Sequence, residues 1–525
     1  MFRSIRTNKK QSAILRRLFA VSRPIHKWAG LVLALFLVWM SISGILLNHP
    51  GMISGISVPK SLVPPQYHLD NWSRSALTDA AYFEGRPDEI YIGGRMGIWE
   101  SRDSGRSFRP FMNGEFPESA YYRKTRDILA TDLPGGDIIF AATSGGLYAM
   151  FDGKWQELIG GEDFKKVMIA GDRLLAFSEN FIYQSGFDNI DFKKIETSRH
   201  EPDKRITLID LFFELHGGHA WRLPGRLLYD LAGIVIIFLS ISAIYIWIFP
   251  RKWKPKFLQK PDFRRLFKYF FKYHLKLGII FAFVIFLIAG TGLFMRPPLL
   301  VALIGGSIPA EYYPGIRHDN PWHSRIRNAM HDPHENRIII DATDGYWTAP
   351  DDFSAPFRKS EPPVAIFPMG ATVFLTLEGG DYLIGSFLGL FRIDRESGEI
   401  TDKIAGGEAK IGSSARPGDN LVTGYFRFGD EEYVNTHYSG LLSLNGETDK
   451  FQMPREMSES YRMPLWNFMF ELHNGRIFND IIGGWYILVI PLGSLLFLLI
   501  ALTGVFDWIV IKLKRRAARN QAAQR

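Results

Sequence analysis

The chain has 525 residues, 62 of them basic and 54 acidic, a formal net charge of +8 and no cysteine. That length implies several domains rather than one core, and the missing cysteine excludes disulfides, thiolate metal sites and covalently attached c-type haem. Mean hydropathy is near neutral because it averages two unlike populations, four long apolar stretches and a polar remainder.

Residues 1–28 form a leader with eight Lys or Arg and no acid. The first apolar stretch, Ala29 to Leu47, predicts a membrane span over 29–48, since about 20 apolar residues cross a hydrocarbon core. No small-residue cleavage site follows it, so the span is expected to persist as an anchor. Residues 49–215 read as β structure. A second span with a preceding His element occupies 216–249, its apolar core running from Leu231 to Phe249. A basic loop, 250–276, leads to the third span, 277–296, built on Leu277 to Met295. A second β region fills 297–472, and the fourth span with its own His element covers 473–508. A basic tail, 509–525, closes the chain.

Charge sets the expected orientation. The segments 1–28, 250–276 and 507–525 hold 24 basic residues and 2 acids, or +22. The rest holds 38 basic and 52 acidic residues, or −14. Short basic loops stay in the cytoplasm. The expectation is a multi-pass protein of a bacterial inner membrane, with both termini cytoplasmic and both large loops periplasmic. Every basic cluster abuts a span, so the basic balance reflects topology in a lipid bilayer and not nucleic-acid binding.

The chain is written twice. Ile25-His26-Lys27 precedes the first span, and Tyr273-His274-Leu275-Lys276 the third. Ser43-Gly44-Ile45-Leu46 closes the first, and Thr291-Gly292-Leu293-Phe294 the third. Phe213-Glu214-Leu215-His216 precedes the second, and Phe470-Glu471-Leu472-His473 the fourth. Such a parallel repeat predicts a four-helix bundle of two matching halves.

The large loops carry a second period. A β-rich run, a turn and a Gly-led apolar-aromatic run recur, as in Ile90-Tyr91-Ile92 with Gly97-Ile98-Trp99. Further copies start at Ile138, Ile338, Tyr382 and Tyr433, and a weaker one, led by Phe181 in place of glycine, at Leu174. A spacing of roughly 36 to 50 residues is that of propeller blades. Ser101-Arg102-Asp103-Ser104-Gly105-Arg106-Ser107-Phe108 resembles the Asp-box turn of sialidase-like propellers, in which the Asp side chain bonds its own turn. The expected fold is a membrane α-helical bundle plus an all-β periplasmic region, propeller-like and assembled from both loops; two separate β domains are the alternative.

Of 13 histidines, four stand at repeat-matched positions. His26 and His274 lie at one mouth of the bundle, His216 and His473 at the other. A lone interfacial His is ordinarily an anchor, like Trp28, Trp221 and Trp485. Two matched pairs point instead to ligation, because neutral imidazole binds haem iron well. The expectation is two b-type haems, each held by two His, since a single haem cannot bridge about 30 Å of hydrocarbon. His219 is an alternative outer ligand. Arg222, Arg226 and Arg476 outside, and Lys27, Arg23 and Lys276 inside, are candidates for haem propionates. His323, His331 and His334 read as a solvated loop. No phosphate-cradling Gly loop, zinc-helix motif or nucleophile elbow is present.

His26-Lys27-Trp28-Ala29-Gly30-Leu31-Val32-Leu33, the Leu-His element before the second span, and Tyr245-Ile246-Trp247-Ile248-Phe249-Pro250-Arg251 resemble the PepSY-associated transmembrane family. The resemblance covers the four spans, about a quarter of the chain. It implies a bacterial inner-membrane protein linked to iron uptake, and a role like that of the ferric-siderophore reductases that carry b-type haem. His26, His216, His274 and His473 fall at the matching positions. The outer loops depart from the family in lacking a clear PepSY module. The expected function is electron transfer from a quinol or a cytoplasmic reductant to a periplasmic acceptor such as a ferric siderophore. A non-enzymatic sensor using the β region is the alternative, and a transporter a third reading that the charge-free spans disfavour.

Overall fold

The computed structural model describes residues 9–200, 205–252, 261–409, 418–445 and 450–523. Parts of the basic leader and of the basic loop, 1–8 and 253–260, lie outside the described residues. The chain divides into two compact units. One comprises Met1–Pro50, Lys204–Arg317 and Met469–Arg525, and the other Gly51–Asp203 and His318–Phe468.

The first unit is helical. Among the described residues, three helices are long and apolar enough to cross a membrane, within Ile14–Leu47, His219–Ile248 and Arg476–Asn520. The stretch expected as a third span is not one straight helix. It comprises Pro261–Ile280 and Ala282–Gly292, bent by 67° at a short break. The bend falls at Phe281, whose φ of −92° and ψ of 3° lie in the sparse bridge region between helix and strand. The helix Lys9–Leu47 packs on Arg222–Lys252 and on Val489–Ala523, and the bent pair completes the set of neighbours. Pro491 sits in the first turn of Val489–Ala523, where a missing N–H costs nothing. Leu33, Leu37, Ile236 and Ile285 form the buried centre of this bundle, with Phe36, Leu239, Ile288, Phe497 and Ile500 around them. One large apolar side chain or more from each long element therefore meets at mid-bundle. Elsewhere the helices expose Val32, Leu35, Leu227, Leu231, Phe283, Leu492 and Leu502. Apolar surface of that extent belongs in a bilayer.

The second unit is β structure. Among the described residues it holds a two-stranded sheet of Ser57–Pro59 with Arg462–Pro464 and six larger sheets, each built on an antiparallel meander of strands consecutive in sequence. Their first strands are Asp79–Phe83, Thr125–Leu133, Phe164–Ala170, Ile326–Asp332, Val373–Thr376 and Val422–Phe428. Each Gly-led pattern in the sequence forms the second and third strands of one sheet, as Arg86–Gly94 with Gly97–Ser101 in the first. Consecutive first strands are neighbours, and the last, Val422–Phe428, neighbours the first, Asp79–Phe83. Closure is tight there: a Cβ on Gly424 would meet the Thr78 carbonyl oxygen at 2.2 Å. Arg199–His200 from the first loop adds a parallel strand to the fourth sheet, which the second loop supplies. Buried acids on first strands bond the next strand over. Asp79 accepts from Ile128 N at 3.1 Å, and Asp127 from Val167 N at 2.9 Å. Apolar faces fill the gaps between sheets, for instance Phe140, Phe164, Leu174 and Ala176 between the second and third. The Asp103 turn forms as expected. Its carboxylate accepts from Arg106 N at 3.1 Å, Ser107 N at 2.9 Å and the Ser107 hydroxyl at 2.5 Å.

Candidate functional site

The helical unit brings the four repeat-matched histidines together as two pairs. The His26 and His274 ring centres are 6.4 Å apart with planes at 87°. The His216 and His473 centres are 6.3 Å apart at 60°. His26 and His274 are carried by long helices. His216 and His473 each end a short helix, Leu208–Gly217 and Leu465–His473. The first is started by Thr207, whose hydroxyl accepts from Asp210 N at 3.1 Å. A left-handed glycine ends it, Gly218 with φ 77°, a conformation that only glycine adopts freely.

Each imidazole is locked through Nδ1 to a buried hydroxyl from the other half of the repeat. Ser43 holds His473 at 2.8 Å, and Thr291 holds His216 at 3.1 Å. Ser242 holds His274 at 2.8 Å, and Thr503 holds His26 at 3.3 Å, with the Ile500 carbonyl at 3.0 Å. Every one of these hydroxyls already donates its single proton to its own helix. Ser43 donates to Trp39 O at 2.8 Å, Ser242 to Leu239 O at 3.0 Å, Thr291 to Leu287 O at 2.6 Å and Thr503 to Leu499 O at 2.8 Å. The hydroxyl oxygen is then an acceptor, so the imidazole hydrogen sits on Nδ1 and the Nε2 lone pair is left bare. Glycine makes room beside three of the hydroxyls. A Cβ on Gly44 would lie 3.4 Å from His473, on Gly292 3.3 Å from His216, and on Gly504 2.9 Å from His26.

The other expected residues scatter. His219 does not face His473. Its ring packs against Gly217. Nearby, His49 bonds Asp230 at 2.6 Å. Arg222 donates to the Arg317 carbonyl at 2.6 Å, and Arg226 to Asn48 O at 3.4 Å. Arg476 pairs with Glu471 at 2.5 Å. Lys27 lies over the Trp28 ring at 4.4 Å, and Lys276 is exposed.

Several residues were not legible as functional from sequence. Ser242, Thr503 and Gly504 carry the same hydroxyl-then-small signal as Ser43-Gly44 and Thr291-Gly292, with Ala243 in place of glycine in one copy. Aligning the halves on that signal would have found them. Arg296 is the other. It lies over Tyr486 at 5.5 Å, and its Nε is buried without a partner.

Among the described residues, no group of three or more His, Cys, Asp or Glu is placed to hold a metal ion. A cavity of about 610 Å³ beside the first and second sheets is polar. Its charges pair internally, Arg86 with Glu89 and Asp137, and Arg102 and Arg109 with Glu100.

No curated protein matches the chain. Among solved structures, it is similar to the extracellular domain of the putative one component system BT4673 from B. thetaiotaomicron, at 10% identity and a TM-score of 0.33, covering 73% of this chain and 40% of that one. It is similar also to the extracellular domain of the putative hybrid two component system BT3049 from B. thetaiotaomicron, at 9% identity and a TM-score of 0.33, covering 74% and 41%. The chain thus spans about two fifths of the length of these structures. The family model described as the PepSY-associated TM region matches residues 188–510, more than half of the chain and including three of the four paired histidines. This chain therefore belongs to the family of proteins with a PepSY-associated TM region.

Proposed function

We propose that the protein carries electrons across the bacterial inner membrane through two b-type haems and delivers them to a ferric chelate on the periplasmic side. The observation that carries this reading is the pair of facing imidazoles, repeated at both ends of the bundle, with Nδ1 locked and Nε2 bare. A nitrogen ligand sits about 2 Å from its metal, so two imidazoles gripping one iron have ring centres roughly 6 Å apart. The measured 6.4 and 6.3 Å fit. Hydrogen-bonded Nδ1 is the usual outer-shell support of a ligating His. The glycines beside His26, His216 and His473 let each imidazole lie close against the neighbouring helix.

His26 and His274 would hold one haem, and His216 and His473 the other. Arg296 and Arg476 would meet the outer propionates, since they are adjacent, partly buried and positive. Haem in this setting supplies reversible one-electron chemistry at its iron. The chain's own residues fix ligand orientation, keep Nε2 unprotonated and surround the middle of the path with Leu33, Leu37, Ile236 and Ile285, which exclude water. His26 and Ser43 stand seventeen positions apart on the unbroken helix Lys9–Leu47, about 25 Å of ideal helix. The two pairs therefore stand near opposite faces of a hydrocarbon core.

In the same reading the bent pair is the third of four spans, both termini are cytoplasmic and both large loops periplasmic. The basic segments flanking the spans support that orientation. The six sheets are the blades of one propeller, supported by the adjacency of the last first strand to the first. Ferric reduction weakens chelation and releases iron. Outer-sphere reduction requires no acid–base residue, in keeping with the lack of a hydrolytic motif in the sequence.

The test is a reduced-minus-oxidised visible spectrum of the detergent-purified protein from haem-replete cells. A b-type α-band, halved by His274→Ala and halved by His216→Ala, is expected. A flat spectrum overturns the reading and leaves the sensor.

A further inference from the structure

Strand alternation gives the first sheet a face of polar and aromatic groups, because every second residue points the same way. Its second strand places Glu89 and Tyr91 there, its third Glu100 and Arg102, and its fourth Arg109, with Phe111 just beyond. Tyr91 stands opposite Glu100, and Glu100 opposite Arg109. This face looks onto the second sheet. Ile98, Ile128 and Ala141 close part of the space between the two. The rest stays open as the cavity of about 610 Å³, a size that falls among small-molecule sites of about 300–1,000 Å³.

The cavity has donors on one side and acceptors on the other. Glu100 is 4% exposed, and both its oxygens are taken, one by Arg109 Nε at 2.6 Å and one by Arg102 Nε at 3.3 Å. Two guanidinium groups thus turn only Nε to a single carboxylate. Among the described residues their Nη groups have no hydrogen-bond or ion-pair partner. One arginine would satisfy a buried carboxylate; the second adds donors that face outward. On the other side Arg86 lies between Glu89 at 3.0 Å and Asp137 at 2.5 Å. Glu89 accepts from Arg86 and from the Tyr91 hydroxyl through Oε2 alone, and its Oε1 has no partner among the described residues. Three cations meet three carboxylates, so the cavity asks a ligand for no net charge. Between the two sides lie the Tyr91 and Phe111 rings, 5.4 Å apart with planes at 38°.

We propose that this cavity binds a neutral saccharide. A sugar hydroxyl both donates and accepts, so neighbouring hydroxyls of one ring serve the Arg102 and Arg109 donors and the open Glu89 oxygen together. The C–H face of the sugar covers the Tyr91 and Phe111 rings, which water leaves wet. The residues involved all belong to the β unit, and the proposal goes beyond electron transfer and needs no haem.

The test is isothermal titration of the full-length protein in lipid nanodiscs, where no sugar-headed detergent competes. The neutral probes are maltotriose, cellotriose and tri-N-acetylchitotriose, and trigalacturonate is the charged control. At least one neutral probe should bind saturably with Kd below about 1 mM, and more tightly than the control. Arg102→Gln leaves Arg109 on Glu100, and Phe111→Leu keeps an apolar filler without the ring, so both variants should fold. Each should weaken binding of that probe by about tenfold. No saturable binding of any neutral probe, binding of trigalacturonate as tight as the best of them, or full affinity in either folded variant overturns the proposal. Binding is read without electron transfer, so its failure leaves the haem reading untouched, and a flat visible spectrum leaves the saccharide site untouched.

Discussion

The two units solve the problem of buried polar groups in opposite ways. In the helical unit each buried histidine has one neutral hydroxyl partner, itself tied to its own helix, and a small residue to make space. In the β unit the buried polar groups on the first strands are largely charges, matched across neighbouring sheets: Lys166 with Asp127 at 2.5 Å, Arg126 and Lys165 with Asp163. Where water is excluded, a charge without a partner is costly, so the four paired imidazoles meet neutral hydroxyls, and the packing around them tolerates little change of shape. The β unit has solvent nearby and can afford charge, and its stability should answer to pH.

The largest effect that sharpens this contrast is expected at Asp163. Arg126 and Lys165 hold its carboxylate well below the usual range although burial opposes them. Its contribution is present above the unfolded pKa, near 4, and fades as the pH falls through the lower folded value. Asp163→Asn leaves two half-buried cations facing each other and should cost about 3 kcal/mol in urea unfolding at pH 7 followed by tryptophan fluorescence. A cost below that of a surface pair would mean that the ionic account of this unit is wrong.

Asp341 should behave in the opposite sense. Burial lifts its pKa to about 6, against the pull of Arg327 and of the Ala371 N–H. The folded state then binds the proton more tightly than the unfolded chain, so this group makes the protein less stable as pH rises from about 4 to about 6. Asp341→Asn keeps an acceptor for Ala371 N and should remove roughly 1 kcal/mol of that pH dependence, read as unfolding free energy at pH 5 against pH 7. A pH profile indifferent to the substitution would remove Asp341 as its source.

The smallest effect tests shape in the bundle. Gly504→Ala places a methyl 2.9 Å from the His26 ring, while Gly44→Ala places one at an ordinary 3.4 Å from His473. The first should lower stability by about 1–2 kcal/mol and weaken the band assigned to the His26–His274 pair, and the second should change neither. Equal tolerance at the two sites would argue against a tight imidazole pocket at that end.

Much of this was legible in the chain. Three apolar stretches form long helices because their composition leaves no other way to bury so much surface, and the six strand-turn-strand patterns, five of them led by glycine, form strand pairs because alternation and turn residues act locally. The histidines stood out because both halves repeat them. The break at Phe281 was not visible, since no Pro or Gly pair marks it. His216 was set apart from His219 by the repeated Glu-Leu-His, whereas the hydroxyl that bonds it, Thr291 of the other half, was not legible as its partner. Thr503-Gly504 lies inside an apolar run, where one hydroxyl looks unremarkable until His26 is placed beside it.

By itself the sequence determined the elements, their order and the residues that repeat, because period, charge and turn chemistry operate over a few neighbouring positions. Only the tertiary structure decided which hydroxyl meets each imidazole and which carboxylate meets each cation across neighbouring sheets. Those are contacts between residues tens to hundreds of positions apart, selected by the packing of whole elements and written in no local pattern.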